Sequence, residues 1–287
     1  AAARREGRLG RSRPIAPRGE PFRLAAQGRP AVAFLWRGLI AMGPLYRLRS
    51  WIVACVAATA LCQWLAADPA YRPLLAVFGS AASALGLWLV LAGPMLMQHG
   101  LRRTFERMDV LKAMPLRGRQ IALGELATPA TVMSLAAWLL LLVGAQALAA
   151  KAGAGMLAPA NLAVAAAGLA LLVPPLCGLM LCVPFAGMLY FPAWTVAPGS
   201  GGAQGMEVMG QRMLFMLGYF VALVLAVLPA ALLGAFCFAL VGWLAGFGAG
   251  VLAAAVCACA VLALELRVAL HLLGRRIDGF DLAQELR

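Results

Sequence analysis

Residues 126–149 read LATPATVMSLAAWLLLLVGAQALA and contain no Asp, Glu, Lys, Arg or His. A helix needs about 20 mainly apolar residues to cross the hydrocarbon core of a bilayer, so this stretch is long enough to span one. Five other stretches are predominantly apolar: Trp51–Ala66, Leu74–Met97, Leu162–Tyr190, Met213–Leu240 and Gly246–Leu273. The sequence therefore predicts an all-α, polytopic membrane protein with six transmembrane helices in residues 51–273.

Two of these spans call for a closer definition. The first is short, and we expect it to extend back toward Leu45. The fourth carries Pro174, Pro175 and Pro184. Because proline lacks the backbone N–H and clashes with the preceding turn, we expect a kink or a break in the fourth span.

The composition of the whole chain points to the same class. Of its 287 residues, 63% are hydrophobic and 12% are charged. Soluble globular domains average about 45–50% apolar and about 25% charged residues. An ordinary soluble domain is therefore excluded, and so is disorder over most of the chain, because disorder requires low hydrophobicity.

The placement of charge orients the chain in the membrane. The formal net charge is +13, and of the 24 Lys and Arg only Arg72 and Lys151 fall outside if the N-terminus is inside. Basic residues concentrate in cytoplasmic segments of membrane proteins. We therefore expect both termini to lie in the cytoplasm. We also expect the basic residues to bind anionic lipids rather than nucleic acid. The Arg- and Ala-rich composition is typical of a GC-rich bacterial genome, so we expect a multi-pass protein of the bacterial inner membrane.

The segments outside the spans are expected to be small. Residues 1–30 are basic and predicted to be disordered, and residues 31–50 are predicted to form an interfacial helix interrupted by Gly43 and Pro44. Residues 274–287 are predicted to be a cytoplasmic tail. Its acidic residues Asp278, Asp281 and Glu285 are expected to be solvated, with contact to a cytoplasmic partner as the alternative.

Chemical motifs are missing from the spans. Gln63 and Gln146 are their polar exceptions, whereas ion-coupled carriers place acids or bases near the bilayer centre. The sequence has no GxxxxGK[ST], HExxH or GxSxG motif, so we expect neither an enzyme nor a metal or cofactor site in this chain. The seven cysteines all lie in apolar runs and are expected to be small packing residues, with a role in a metal site or a disulfide as the alternative.

Three glycines have small-xxx-small spacing between the last two spans: Gly242, Gly246 and Gly250. Such spacing lets helices approach closely, which favours an interface between subunits or within the bundle. A glycine-rich turn between the two spans explains the same residues, and the sequence leaves both interpretations open.

Residues 100–129, GLRRTFERMDVLKAMPLRGRQIALGELATP, join the second and third spans. Their apolar residues recur at helical spacing, at Leu101, Phe105, Met108, Leu111 and Met114. Charged residues cover the remaining surface, and Pro115 ends the pattern. The spacing predicts a short amphipathic helix beneath the bilayer, which on physical grounds alone is explained as well by binding to anionic lipid.

This segment resembles the loop between spans two and three of ABC-2-type permeases and, more narrowly, of a group of bacterial ABC exporter membrane subunits. The pattern R-x-D-x-L-x-x-x-P-x-x-G-x-x-I-x-x-G-E-x-x-x-P is carried by Arg107, Asp109, Leu111, Pro115, Gly118, Ile121, Gly124, Glu125 and Pro129. The resemblance implies a permease subunit, working as a homodimer or a paired permease, with ATP and Mg²⁺ held by a separate ATPase subunit.

The resemblance also implies a role for each part of the segment. It makes the amphipathic helix the coupling element that docks in a groove of the ATPase. The interface would comprise Arg102, Arg103, Phe105, Arg107, Met108, Asp109, Leu111, Lys112 and Pro115. Gly124, Glu125 and Pro129 would mark the start of the third span, where we expect Glu125 to pair with an Arg such as Arg119. The alternative function is a non-transporting scaffold or assembly subunit of a larger membrane complex.

Overall fold

The computed structural model describes residues 23, 28–42, 48–97, 116–150, 158–190 and 206–279. Within these ranges the chain forms seven α-helices and one short 3₁₀ turn, at Pro69–Tyr71, and no β-strand. The helices are α1 (Pro30–Met42), α2 (Leu48–Ala67), α3 (Arg72–Leu96), α4 (Gly118–Ala149), α5 (Pro159–Tyr190), α6 (Met206–Ala245) and α7 (Phe247–Gly279).

Helices α2 to α7 are each long and apolar enough to cross a membrane, which confirms the predicted six spans. Several are longer than the predicted spans. Helix α4 begins at Gly118 rather than at Leu126, and α7 continues to Gly279, so residues 274–279 are helical rather than part of a tail. At 1.5 Å per residue, the 32 residues of α4 extend about 48 Å, well beyond a hydrocarbon core of about 30 Å.

The prolines do not interrupt the helices. Helix α5 runs without a break through Pro174, Pro175 and Pro184, so of the predicted kink or break in the fourth span the break is wrong, and the kink stays a prediction. Pro94 in α3 and Pro184 are fully buried. Their rings fill space in the packed interior, and such packing offsets the loss of a helical hydrogen bond.

Helix α4 is the centre of the bundle and contacts α1, α2, α3, α5 and α7. Helix α1 runs alongside its first half, where Phe34 and Gly38 lie against Gly124 and Thr128. Helix α2 runs alongside its second half, where the Gln146 amide nitrogen donates to the Thr59 hydroxyl at 3.2 Å. Helix α2 is about as long as a bilayer is thick, and it lies beside only the second half of α4. The first half of α4, which lies beside α1, therefore extends beyond the end of α2.

The largest apolar cluster begins where α4 begins and where α5 and α7 end. Its most deeply buried members include Ile121 and Met133 of α4, Phe185 and Leu189 of α5, and Ile277 of α7. We call residues 118–129 of α4, with the parts of α1, α5 and α7 that pack on them, the foot of the bundle.

Helices α6 and α7 form a tight hairpin. Gly246 separates them with a φ of +86°, a left-handed conformation that favours glycine. A Cβ atom built on Gly250 would lie 2.8 Å from the Gly242 Cα, so the two backbones touch across the hairpin. The three glycines thus provide a turn and a close helix contact within one chain, and an interface between subunits stays a prediction.

Candidate functional site

Of the segment predicted to couple to an ATPase, residues 116–129 belong to the described part of the chain. Its residues Arg102, Arg103, Phe105, Arg107, Met108, Asp109, Leu111, Lys112 and Pro115 lie outside the described residues. The chain is described up to Met97, just after α3, and again from Leu116, just before α4. Both of these residues pack against the same apolar cluster of the foot. The two points at which the described chain meets this segment therefore share one packed core.

The start of α4 is fixed by a carboxylate from the far end of the chain. Arg117 is extended, and its backbone N–H donates to the Gln120 side-chain oxygen at 3.1 Å. The Gly118 N–H donates to the Asp278 Oδ1 at 2.7 Å, across 160 residues of sequence. A carboxylate at this position satisfies an unpaired helix N–H and interacts favourably with the helix dipole. The expectation that Asp278 is only solvated is therefore wrong, whereas Asp281 and Glu285 lie outside the described residues.

Two glycines bring α4 and α7 into backbone contact beside this cap. A Cβ atom on Gly274 would lie 2.6 Å from the Arg119 nitrogen and 2.7 Å from its Cα. A Cβ atom on Gly118 would collide with the Gly274 carbonyl oxygen. No larger residue fits at either position unless the helices separate, so the beginning of α4 is held firmly on α7.

Helix α1 docks on the other side of the foot. Phe34 covers Gly124, and Gly38 lies directly against the Thr128 side chain. The Arg37 Nη2 donates to the Glu125 Oε1 at 2.7 Å, and its guanidinium also lies 5.3 Å from the centre of the Phe34 ring. The predicted interfacial helix is thus a helix that packs on α4.

The motif residues after Leu116 occupy different places from those expected. Gly124, Glu125 and Pro129 lie inside α4 rather than at its start, because the helix already begins at Gly118. Glu125 forms its ion pair with Arg37, 88 residues away, where the sequence predicted an Arg such as Arg119. Ile121, also part of the motif, is almost completely buried in the foot cluster. The visible part of the motif therefore builds the junction of α4 with α1, α5 and α7.

A second feature is a groove between the later part of α4 and the first part of α5. Its volume is about 380 Å³ and it is lined by apolar side chains and Gln146. At one end the Trp138 indole N–H donates to the Ala170 carbonyl at 2.8 Å and joins the two helices. The groove can accommodate an apolar group, but it presents no nucleophile, acid or base.

In the foot, the charged contacts of Asp278 with Gly118 and of Arg37 with Glu125 join helices to one another. Among the described residues, no group of three or more His, Cys, Asp or Glu side chains is placed to hold a metal ion. No family model, curated protein or solved structure matches the chain.

Proposed function

We propose that this chain is the transmembrane subunit of an ABC exporter and couples ATP hydrolysis by a separate ATPase subunit to export of a substrate. The strongest support for this proposal is that Met97 and Leu116 pack against the same apolar cluster. These two residues bracket the amphipathic segment, so a push on that segment acts on two membrane helices at once.

The orientation that follows from the positive-inside rule puts the foot in the cytoplasm of a bacterial inner-membrane protein. Arg37, Arg117 and Arg119 then lie on the cytoplasmic side with the rest of the basic residues, where anionic lipid headgroups attract them. A cytoplasmic ATPase would approach the bundle from this side and would dock on residues 102–115.

The structure offers a route for movement from the segment into the bundle. Leu116 leads directly into Gly118, which is held to α7 by Asp278 and Gly274. The same stretch of α4 carries α1 through Glu125 and packs on α5 through the foot cluster. Close-packed interiors transmit displacement because they are barely compressible. A shift of the segment is thus expected to move α1, α4, α5 and α7 together.

The docking residues themselves are those of the amphipathic segment. Phe105, Met108 and Leu111 would fill an apolar groove of the ATPase, and Arg107 with Asp109 would form ion pairs at its rim. ATP and Mg²⁺ belong to that partner, and a second permease copy completes the transporter.

The first experiment identifies the partner. The tagged chain is purified from cross-linked native membranes, and the accompanying proteins are identified by mass spectrometry. The proposal predicts a Walker-type ATPase and predicts ATP hydrolysis by the assembly but not by the chain alone. Recovery with subunits of another membrane complex, and without any ATPase, would instead support the scaffold alternative.

The second experiment tests the coupling segment. The double variant Arg107→Glu with Asp109→Arg is expected to insert normally, to lose stimulation of ATP hydrolysis and to lose ATP-driven export. Arg72→Glu is the matched control, because Arg72 begins α3 at the opposite end of the helix from Met97. Normal ATP-driven export by the double variant would refute the assignment of the segment.

A further inference from the structure

The contact between α6 and α7 follows a seam of small residues. Going away from the Gly246 turn, Gly242 lies opposite Gly250, Cys237 opposite Cys257, and Gly234 opposite Ala258. A Cβ atom on Gly234 would be only 3.5 Å from that of Ala258. The small side chains above and below the two cysteines let the helix backbones come close, so even short side chains meet across the seam.

The two thiols of this seam are in direct contact. The Sγ atoms of Cys237 and Cys257 are 2.9 Å apart, both cysteines are reduced, and both are partly buried. Cys259 lies two residues further along α7 and does not face α6. Its thiol lies 3.7 Å from the Leu171 carbonyl oxygen of α5. Two residues along a helix rotate a side chain by about 200°, so only Cys257 faces α6.

We propose that Cys237 and Cys257 are a reversible disulfide site that staples α6 to α7. This inference is independent of the proposed export function. The pair lies about 12–15 Å from the hairpin turn along the helices, which is near the middle of a hydrocarbon core of about 30 Å. An oxidant that reaches it must dissolve in the bilayer, and organic hydroperoxides, including those of lipids, belong to that class.

The chemistry balances with such an oxidant. One thiol attacks the terminal oxygen of the hydroperoxide, the O–O bond breaks, and the organic fragment leaves as an alcohol, which gives a sulfenic acid. The second thiol then attacks the sulfenic sulfur, an S–S bond forms, and the oxygen leaves as water. The two thiols lose two electrons in total, and the peroxide bond gains them. A membrane-soluble phosphine reverses the change.

The staple would strengthen the contact that holds α6 in the bundle. Helix α6 packs mainly on α7, and its other described polar link is the Tyr219 hydroxyl, which donates to the Leu91 carbonyl of α3 at 2.6 Å. A covalent bond at Cys237 would make α6 and α7 one body. The oxidised hairpin is then expected to resist separation of the two helices.

The test uses the full wild-type chain in membranes, treated with cumene hydroperoxide and then denatured in the presence of a maleimide. Two of the seven cysteines, Cys237 and Cys257, are expected to lose labelling. A peptide that joins them is expected in the unreduced digest and disappears after treatment with tributylphosphine.

Two variants make the result specific. Cys237→Ser is expected to abolish the linked peptide, because Cys257 then has no thiol with which to form the S–S bond. Cys259→Ser is the matched control on the same helix and is expected to keep the link. Persistent labelling of both cysteines in the wild type would overturn the proposal, and so would a link from Cys237 to any other cysteine.

Discussion

Replacing Gly274 with Ala tests whether α7 holds the start of α4 by direct backbone contact. The added Cβ would lie 2.6 Å from the Arg119 nitrogen and 2.7 Å from its Cα. Carbon atoms pack best at about 3.5–4.0 Å, so α4 and α7 must separate by about 1 Å. Because the obstacle is backbone, no rotamer change relieves it. Overpacking of this kind costs about 1–3 kcal/mol.

The matched control is Gly218→Ala in α6. A Cβ atom there meets nothing within 4 Å, so this variant gains helix propensity without a clash. Both variants have the same intrinsic gain, and the difference between them isolates the clash. At about 2–4 °C per kcal/mol for a large domain, Gly274→Ala is expected to unfold about 2–12 °C below Gly218→Ala.

A thiol-reactive fluorogenic maleimide is a suitable probe in detergent. Cys177 and Cys182 are buried in the foot cluster and become reactive when the foot opens. Unfolding of membrane proteins is often irreversible, so the midpoints are compared at a single heating rate. Equal midpoints for the two variants would show that α4 and α7 do not touch at Gly274, and the account of the foot would then be wrong.

The same assay checks three more contacts. Asp278→Ala removes the cap on Gly118 and is expected to lower the free energy of unfolding by about 0.5–2 kcal/mol. Asp278→Asn keeps a hydrogen-bond acceptor and should lower it less. Equal losses for the two variants would argue against a capping bond. For Arg37→Met and Glu125→Gln, a double-mutant cycle is expected to give a coupling of about 0.2–1 kcal/mol, since the Arg37 side chain is 58% exposed and that of Glu125 is 10% exposed. This coupling should weaken at high salt, and a salt-independent value would contradict a partly exposed ion pair. Gly246→Ala forces a non-glycine residue into a left-handed turn and is expected to cost about 1–2 kcal/mol; no change in midpoint would mean that the turn adopts another conformation.

The number and order of the membrane helices were predictable because they depend on composition over windows of about 20 residues. The helix bounds were less so. Because hydropathy falls at Glu125 and Arg119, the predicted third span begins at Leu126. In the structure α4 already begins at Gly118. Hydropathy reports which residues tolerate lipid, whereas the helix continues for as long as its backbone bonds and caps are satisfied.

The contacts of the foot were not predictable from local spacing. Glu125 has an Arg six residues before it in the sequence, but its ion pair reaches back to Arg37. The cap on Gly118 comes from Asp278, 160 residues later. Pairs at i,i+4 can be read from a sequence, but these pairs depend on which helices become neighbours. The need for glycine at position 274 was not predictable for the same reason. It depends on the Arg119 backbone of α4, which leaves no space for a Cβ atom there.

Burial is uneven along the bundle, and this bears on how it can move. In their most apolar stretches, 44% of the α5 residues and 33% of the α4 residues are buried, against 6% for α2 and 11% for α6. Lipid tails are as apolar as leucine, so the hydrophobic effect gives membrane-embedded helices little reason to pack on one another. Where α4, α5 and α7 extend past the bilayer, water restores that driving force. The foot is thus expected to be the most rigid part of the chain, whereas α2 is attached to it loosely and α6 is held mainly by α7. On the proposed coupling function, a force applied through Met97 and Leu116 would move the foot as a unit, carry α6 along with α7, and leave α2 free to rearrange against lipid or a second subunit.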